Sequence, residues 1–175
     1  KNFGDIKNVK SLMIKGEISQ AEKILLSIKA KKGLDHIGFH LLANIYRIKS
    51  QHLLALEFLQ NAIKLNPSYA EALSDIGAIY IEINNLALAK KYLQKSLEVN
   101  PNELSSIINA GILYKKLGNI KLALKFFSKA LDIDSNNSNL NFSIGQIYDG
   151  LGKFERAISY YRKCILLDQK NGNAF

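Results

Sequence analysis

The sequence predicts an all-α repeat fold made of helix hairpins, and three sets of residues with one common period carry this prediction. Alanines recur every 34 residues, at Ala21, Ala55, Ala89, Ala123 and Ala157. Tyrosines keep the same period at Tyr46, Tyr80, Tyr114 and Tyr148, and glycines keep it at Gly77, Gly111 and Gly145. A fixed period of about 20 to 50 residues is typical of repeat proteins, whose units stack into one array.

Residues 70–103 show why each repeat should be a pair of helices. One helical face, with the spacing i, i+3, i+4, i+7, is formed by Leu73, Ile76, Gly77 and Tyr80. A second face consists of Leu86, Ala89, Leu93 and Leu97. Asn84-Asn85 lies between the two, and asparagine tolerates the left-handed backbone of a tight turn. Applied to every repeat, this pattern predicts ten helices and no strand.

The alanine register also predicts the borders of the repeats. It divides the chain into five repeats, 2–35, 36–69, 70–103, 104–137 and 138–171. We expect a single array over residues 1–175 without an interdomain linker, in which residues 172–175 begin a further, truncated repeat. At two borders an asparagine precedes a proline, Asn66-Pro67 and Asn100-Pro101. This predicts that each asparagine caps the next helix and that each proline occupies the first helical position.

The recurring small residues are predicted to be the close contacts between the two helices of a hairpin. A glycine such as Gly111 on the first helix lets the second helix approach, and an alanine such as Ala123 offers the matching small surface. Larger side chains, among them Leu93, Phe127 and Tyr161, should fill the space around these contacts. Replacing one of these small residues with a bulky one should therefore destabilise the fold by several kcal/mol.

Composition and charge narrow the functional classes. No run of about 18 apolar residues occurs, so we expect no membrane insertion. The single Cys164 excludes an internal disulfide framework and favours a reducing, cytoplasmic location. The net charge of +9 comes mostly from lysine, whereas bidentate phosphate recognition favours arginine, so we expect no nucleic-acid partner. The densest basic cluster favours an acidic protein partner ahead of RNA; it comprises Lys115, Lys116, Lys121, Lys125 and Lys129.

The periodic residues resemble the tetratricopeptide repeat family. The clearest copy reads Leu73, Ile76, Gly77, Tyr80, Ala89, Leu93 and Pro101. The resemblance covers essentially the whole chain, with the weakest match in the first repeat. It implies an α-solenoid of antiparallel hairpins wound into a right-handed superhelix, with the first helix of each hairpin on the concave face. It also implies that a peptide or protein segment binds in that concave groove.

Helical phase then selects the residues that should face a ligand. The candidate contacts are Asn44, Arg47, Ser74, Asp75, Asn109, Asn139, Phe142, Ser143 and Gln146. Ile108 lies on the same face. Asp75, Asn109 and Ser143 occupy one repeat position and could hydrogen-bond the backbone of an extended peptide, although the same polarity also fits an exposed helix face that only contacts water.

The residues capable of chemistry form no recognisable catalytic or metal-binding motif. His36 and His40 share a helix face but lack the third ligand of a zinc site. His52 is interpreted as a packing residue, and Cys164 replaces a small core residue far in sequence from any histidine. We therefore expect no catalytic residue, no metal and no cofactor.

The sequence thus favours a non-catalytic protein–protein interaction scaffold. The alternative is that the array recruits a substrate or partner for a larger enzyme, of the glycosyltransferase, sulfotransferase or methyltransferase type, whose catalytic domain lies outside residues 1–175. The sequence leaves the oligomeric state open.

Overall fold

The computed structural model describes residues 3–170, with side chains described from Ile6 to Leu167. Within that range the backbone forms ten α-helices and no strand, so the predicted all-α fold of helix hairpins is confirmed. The chain forms two compact units, Lys1–Val99 and Asn100–Phe175, called unit 1 and unit 2 below. The predicted start of a further repeat at 172–175 lies outside the described residues.

Unit 1 contains three helix pairs, each packed as a hairpin. Its helices are α1 (Phe3–Ile14), α2 (Ile18–Lys32), α3 (His36–Ile48), α4 (His52–Leu65), α5 (Ala70–Glu82) and α6 (Leu86–Val99). The α2–α3 and α4–α5 contacts join the pairs into one body. Its core includes Ala21, Leu25, Leu42, Ala55 and Leu59, all at most 1% exposed. The recurring alanines therefore lie inside the core, as the period predicts.

Unit 2 contains two hairpins. Its helices are α7 (Leu104–Lys116), α8 (Ile120–Ile133), α9 (Ser138–Gly150) and α10 (Phe154–Lys170). The first helices of four hairpins begin at His36, Ala70, Leu104 and Ser138, one period apart. The division of the whole chain into one array of five repeats stays a prediction.

Each hairpin turns at the same repeat position with a left-handed residue. These residues are Gly16, Ser50, Asn84, Gly118 and Gly152, with φ between 58° and 78°. At Gly118 the positive φ costs a glycine little, whereas at Ser50 a side chain must tolerate it. The turn closes through backbone hydrogen bonds such as Asn119 N–H to the Tyr114 carbonyl, 2.9 Å. The predicted turn chemistry is confirmed.

The glycines of the first helices pack directly against bulky side chains of the second helices. A Cβ atom built on Gly111 would lie 2.5 Å from Cε1 of Phe127, and one on Gly77 would lie 2.6 Å from Cγ of Leu93. Gly145 meets Tyr161 in the same way, at 2.6 Å. Real Cβ atoms essentially never approach so closely, so only glycine fits without rearrangement. The predicted close contacts are confirmed.

The predicted helix caps at Asn66 and Asn100 are wrong. The next helices begin at Ala70 and Leu104, three residues after each proline. Asn66 Oδ1 instead accepts a hydrogen bond from Ser68 N–H (3.2 Å), and Asn100 Oδ1 accepts one from Asn102 N–H (3.1 Å). Proline's fixed φ suits the second position of a tight turn as well as a helix start, and here the turn is formed.

Candidate interaction surface on the first helices

The predicted contact residues lie on the first helices of four hairpins, on α3 and α5 in unit 1 and on α7 and α9 in unit 2. We call the side of these helices that carries them the first-helix face. Asn44 and Arg47 lie on α3, and Ser74 and Asp75 lie on α5. Asn109 lies on α7, and Asn139, Phe142, Ser143 and Gln146 lie on α9. Within each unit, neighbouring first helices are joined by side-chain hydrogen bonds across this face.

In unit 1 the predicted contact residue Asp75 is bonded to its own neighbours. Its Oδ2 lies 2.6 Å from Nε2 of His40, and its Oδ1 accepts a 3.3 Å hydrogen bond from Nη1 of Arg47. His40 Nδ1 in turn lies 2.7 Å from the Tyr69 hydroxyl. His40 and Asp75 are 13% and 17% exposed, so the contact is largely shielded from water. We call these four side chains the Asp75 network.

The Asp75 network continues through Arg47 to the end of α5. Arg47 Nε lies 3.4 Å from Oε1 of Glu82. Nδ1 of His52 is buried 3.5 Å from the other Glu82 oxygen, without a hydrogen bond. Arg47 therefore joins two carboxylates of α5 to α3, and the predicted contacts Arg47 and Asp75 are partners of each other.

His36 and His40 contact a tyrosine, a role that the sequence did not suggest for them. His36 and His40 both set their rings edge-on to Tyr69, with centroids 5.0 Å apart in each case. Within the described residues, no group of three His, Cys, Asp or Glu side chains could hold a metal ion. Sequence reasoning missed the link between His40 and Asp75. The available signal was their separation of 35 residues, which places them at adjacent positions of consecutive repeats.

The structure corrects the prediction for Ser74, which is fully buried and presents no surface to a ligand. The reason is how densely α5 is packed in unit 1. Nine of its residues are buried, and the short serine side chain does not extend beyond them. Helical phase alone does not distinguish such an enclosed helix from one with a free side.

In unit 2 the first-helix face keeps an exposed aromatic residue. Phe142 on α9 is 46% exposed, although one side of its ring packs against Tyr161 with centroids 5.7 Å apart. One helical turn later, Oε1 of Gln146 accepts a 3.0 Å hydrogen bond from Nζ of Lys115 on α7. Asn139 is exposed on the same helix. Partial burial and the carboxylate of Asp149 raise the pKa of Tyr161.

The predicted polar row of Asp75, Asn109 and Ser143 does not offer three equivalent hydrogen-bonding groups to a peptide. Ser143 donates its hydroxyl hydrogen to the Asn139 carbonyl in its own helix, 2.9 Å away, and can only accept from a ligand. Asn109 is half-buried and already takes part in an interaction. The equivalence of the three positions in sequence therefore does not extend to their bonding.

The charged side chains also differ between the units. In unit 1, ion pairs join Lys49 to Glu22 and Arg47 to both Asp75 and Glu82. On α8, Lys121 and Lys125 are exposed, and Lys129 donates to the Pro101 carbonyl at 2.6 Å. No helix among the described residues is long and apolar enough to cross a membrane.

Comparison with known proteins identifies the repeats. One family model described as a tetratricopeptide repeat matches residues 49–108, and another with that description matches 104–137 and 138–171. Together the matches cover most of the chain. No curated protein sequence gives a match.

Solved structures resemble the whole chain. The thermophilic TPR protein TTC0263 of Thermus thermophilus has a TM-score of 0.86 at 17% identity, covering 99% of this chain and 95% of that one. MamA has a TM-score of 0.73 at 21% identity, covering 94% of this chain and 96% of its own. The APC/C hetero-tetramer Cut9–Hcn1 has a chain with a TM-score of 0.83 at 21% identity, covering 94% of this chain and 33% of that one. At these identities the likeness concerns the fold.

Proposed function

Since the chain belongs to the tetratricopeptide repeat family, whose repeats mediate protein interactions, we propose that it is a non-catalytic scaffold that holds a peptide or protein segment on the first-helix face. The main contact surface is the part of this face in unit 2, on α7 and α9. The ligand is a segment of another protein, and no cofactor takes part.

The exposure of Phe142 is the observation that carries this proposal. An aromatic side chain that is 46% exposed leaves apolar surface in contact with water, and a partner gains free energy by covering it. Tyr161 supports the ring from one side and fixes its position. A rigid, supported aromatic residue loses little conformational entropy on binding, which is why such residues often anchor interfaces.

The polar residues around Phe142 determine how a segment is held. Asn139 and Gln146 are exposed on the same helix and can hydrogen-bond the backbone of an extended chain. Ser143 contributes an acceptor, and Asn109 adds a polar group on α7. In unit 1, Asn44 remains a candidate contact, whereas Arg47 and Asp75 would first have to break the Asp75 network.

The test compares two exposed phenylalanines of unit 2. Phe142→Ala removes the proposed anchor, and Phe154→Ala removes a 58% exposed ring at the start of α10, on a second helix. Peptides selected from a display library on the wild-type chain are titrated against both variants. We expect Phe142→Ala to weaken binding by about tenfold or more and Phe154→Ala to leave it unchanged.

Circular dichroism melts of both variants provide the control for folding, because Phe142 also packs against Tyr161. Equal binding by the wild type and Phe142→Ala, with both folded, would show that the anchor is misplaced. The absence of any selected peptide would contradict the peptide-binding function itself.

A further inference from the structure

The geometry of unit 2 points to a particular class of ligand for this surface. We propose that the first-helix face of α7 and α9 binds an extended segment in which a large apolar side chain and an aspartate or glutamate are two residues apart. This inference rests on the proposed function and specifies its ligand.

One end of the surface is apolar. Phe142 lies in the first half of α9, and Ile108 occupies the equivalent position on α7, one period earlier. Ile112, one helical turn after Ile108, extends the same side of α7 and is likewise half-buried. Ile108 and the supported phenyl ring accept a large apolar side chain and offer no hydrogen-bond partner to a polar one. Ile112 lies one period before Gln146, at the level of the other end.

The other end of the surface carries a cation and an amide. Lys115 follows Ile108 and Ile112 on the same side of α7, and its Nζ donates to Oε1 of Gln146 on α9. Within the described part of the chain Lys115 forms no ion pair, so its charge is available to a ligand. The Gln146 amide nitrogen is a second donor beside it. A carboxylate accepts from both groups, and a charge-assisted bond is stronger than the neutral one that Lys115 now makes.

Lys115 is also the group that makes this end suitable for an anion. α7 ends at Lys116 and α9 ends at Gly150, so the surface lies near two helix C-termini, whose carbonyls repel negative charge. Asp149 is exposed one turn beyond Gln146 and repels a carboxylate as well. A bound acidic side chain is therefore best placed over Lys115 and Gln146, away from Asp149.

The distance between the two ends sets the spacing in the ligand. Phe142 and Gln146 are four helical residues apart, which corresponds to a rise of about 6 Å. In an extended peptide, side chains two residues apart are on the same side and separated by about 6.6 Å. An acidic residue directly next to the apolar one would be on the opposite side and would not reach Lys115.

Peptides of identical composition test this spacing on the full chain. Fluorescence anisotropy measures the affinity of a labelled peptide with a Phe-Ala-Asp core and that of its Phe-Asp-Ala isomer. Each peptide is also measured in a version with asparagine in place of aspartate. A peptide with the reversed order, Asp-Ala-Phe, covers the opposite chain direction. We expect the peptide with the acid two residues away to bind about tenfold more tightly than its isomer and its asparagine version, in at least one chain direction. Equal affinities would overturn the inference while leaving the proposed function intact. Absence of binding by every one of these peptides would also overturn the inference, and the library selection would then decide the proposed function separately.

A charge reversal supplies the second test. Lys115→Glu should lower the affinity for the acidic peptide about tenfold or more and should bind the Phe-Ala-Lys version more tightly instead. Lys125 is an exposed lysine of α8, so Lys125→Glu makes the same change in net charge on a second helix. It should leave the affinities for the acidic and the lysine peptide unchanged. A loss of acidic-peptide binding that is equal in both variants would show that overall charge, and not the Lys115 contact, drives the preference.

Discussion

The first-helix faces of the two units differ in the partners of their polar groups. In unit 1, Asp75 on α5 is held by His40 and Arg47 of α3, and the face is occupied by its own side chains. In unit 2, Ser143 on α9 bonds only within its own helix, and a partly exposed phenylalanine lies beside it. The same repeat position therefore closes the surface in one unit and leaves it open in the other.

The residue that makes the difference lies on the preceding first helix. His40 in unit 1 and Ile108 in unit 2 occupy equivalent repeat positions. The imidazole of His40 can hydrogen-bond Asp75 on the next first helix, whereas the isoleucine has no polar atom to offer Ser143. A polar row along a repeat protein is thus available to a ligand only where the neighbouring repeat cannot bond it.

The largest expected effect is that of a bulky residue at the helix contact of each hairpin, which tests whether the hairpins of the two units pack in the same way. Gly77→Leu in unit 1 and Gly111→Leu in unit 2 each place a side chain where even a Cβ would be within 2.6 Å of its neighbour. Each should lower the free energy of unfolding by about 3 kcal/mol or more, since the second helix must move away. Chemical denaturation followed by circular dichroism measures this.

Gly150→Ala is the control for the glycine variants. Apart from its chain neighbours and the backbone of its own helix, a Cβ at Gly150 would have no atom within 4 Å, and alanine favours the helix, so stability should stay equal or rise by up to about 1 kcal/mol. If only one of the two leucine variants were destabilised, the hairpins would not be equivalent, and the two faces could not be compared on equal terms.

The fold could be predicted from the sequence because its signals are local and repeated. Gly111 and Phe127 recur in register with their counterparts, so their contact follows from the period. The Asp75 network could not be predicted in this way, because it depends on the identity of His40, which departs from its counterparts Ser74 and Ile108. Burial of Ser74 escaped prediction because it depends on how densely α5 is packed, which helical phase does not show.

The second prediction concerns the closed face of unit 1. Asp75→Ala leaves His40 and Arg47 without their shared acceptor in a largely shielded site, and should cost about 2 kcal/mol in the free energy of unfolding. Ser143→Ala, at the equivalent position of unit 2, removes a hydroxyl that bonds only its own helix and should change stability by less than about 0.5 kcal/mol. Urea denaturation of the two variants gives both values.

If Asp75→Ala and Ser143→Ala lowered the free energy of unfolding by similar amounts, the two first-helix faces would not differ in the way described. The network would then be an incidental contact, and Asp75 would be as available to a ligand as Ser143. Asp75→Asn separates charge from bonding, because asparagine keeps an oxygen acceptor for Arg47 but loses the ion pair. It should be destabilised less than Asp75→Ala.

The smallest expected effect concerns an ion pair of unit 1 away from the first-helix face. Lys49, the residue that follows α3, donates to Glu22 of α2, and this hydrogen bond is the main reason that the pKa of Glu22 is lowered from its ordinary value of 4.5. Partial burial opposes the shift, and the Tyr46 hydroxyl adds to it. A carboxyl group with a lowered folded-state pKa stabilises the protein above its unfolded value, and this contribution is lost as the pH falls through the folded value.

Glu22→Gln should therefore lower stability at neutral pH by less than about 1 kcal/mol, because Lys49 is one third exposed and water screens the pair. The difference from the wild type should disappear in thermal melts well below pH 4.5, where the wild-type carboxylate also becomes protonated. Glu57→Gln, at an exposed position of α4, makes the same charge change and should follow the wild type at every pH. A Glu22→Gln difference that persisted in acid would mean that shape, and not charge, holds α2 to α3.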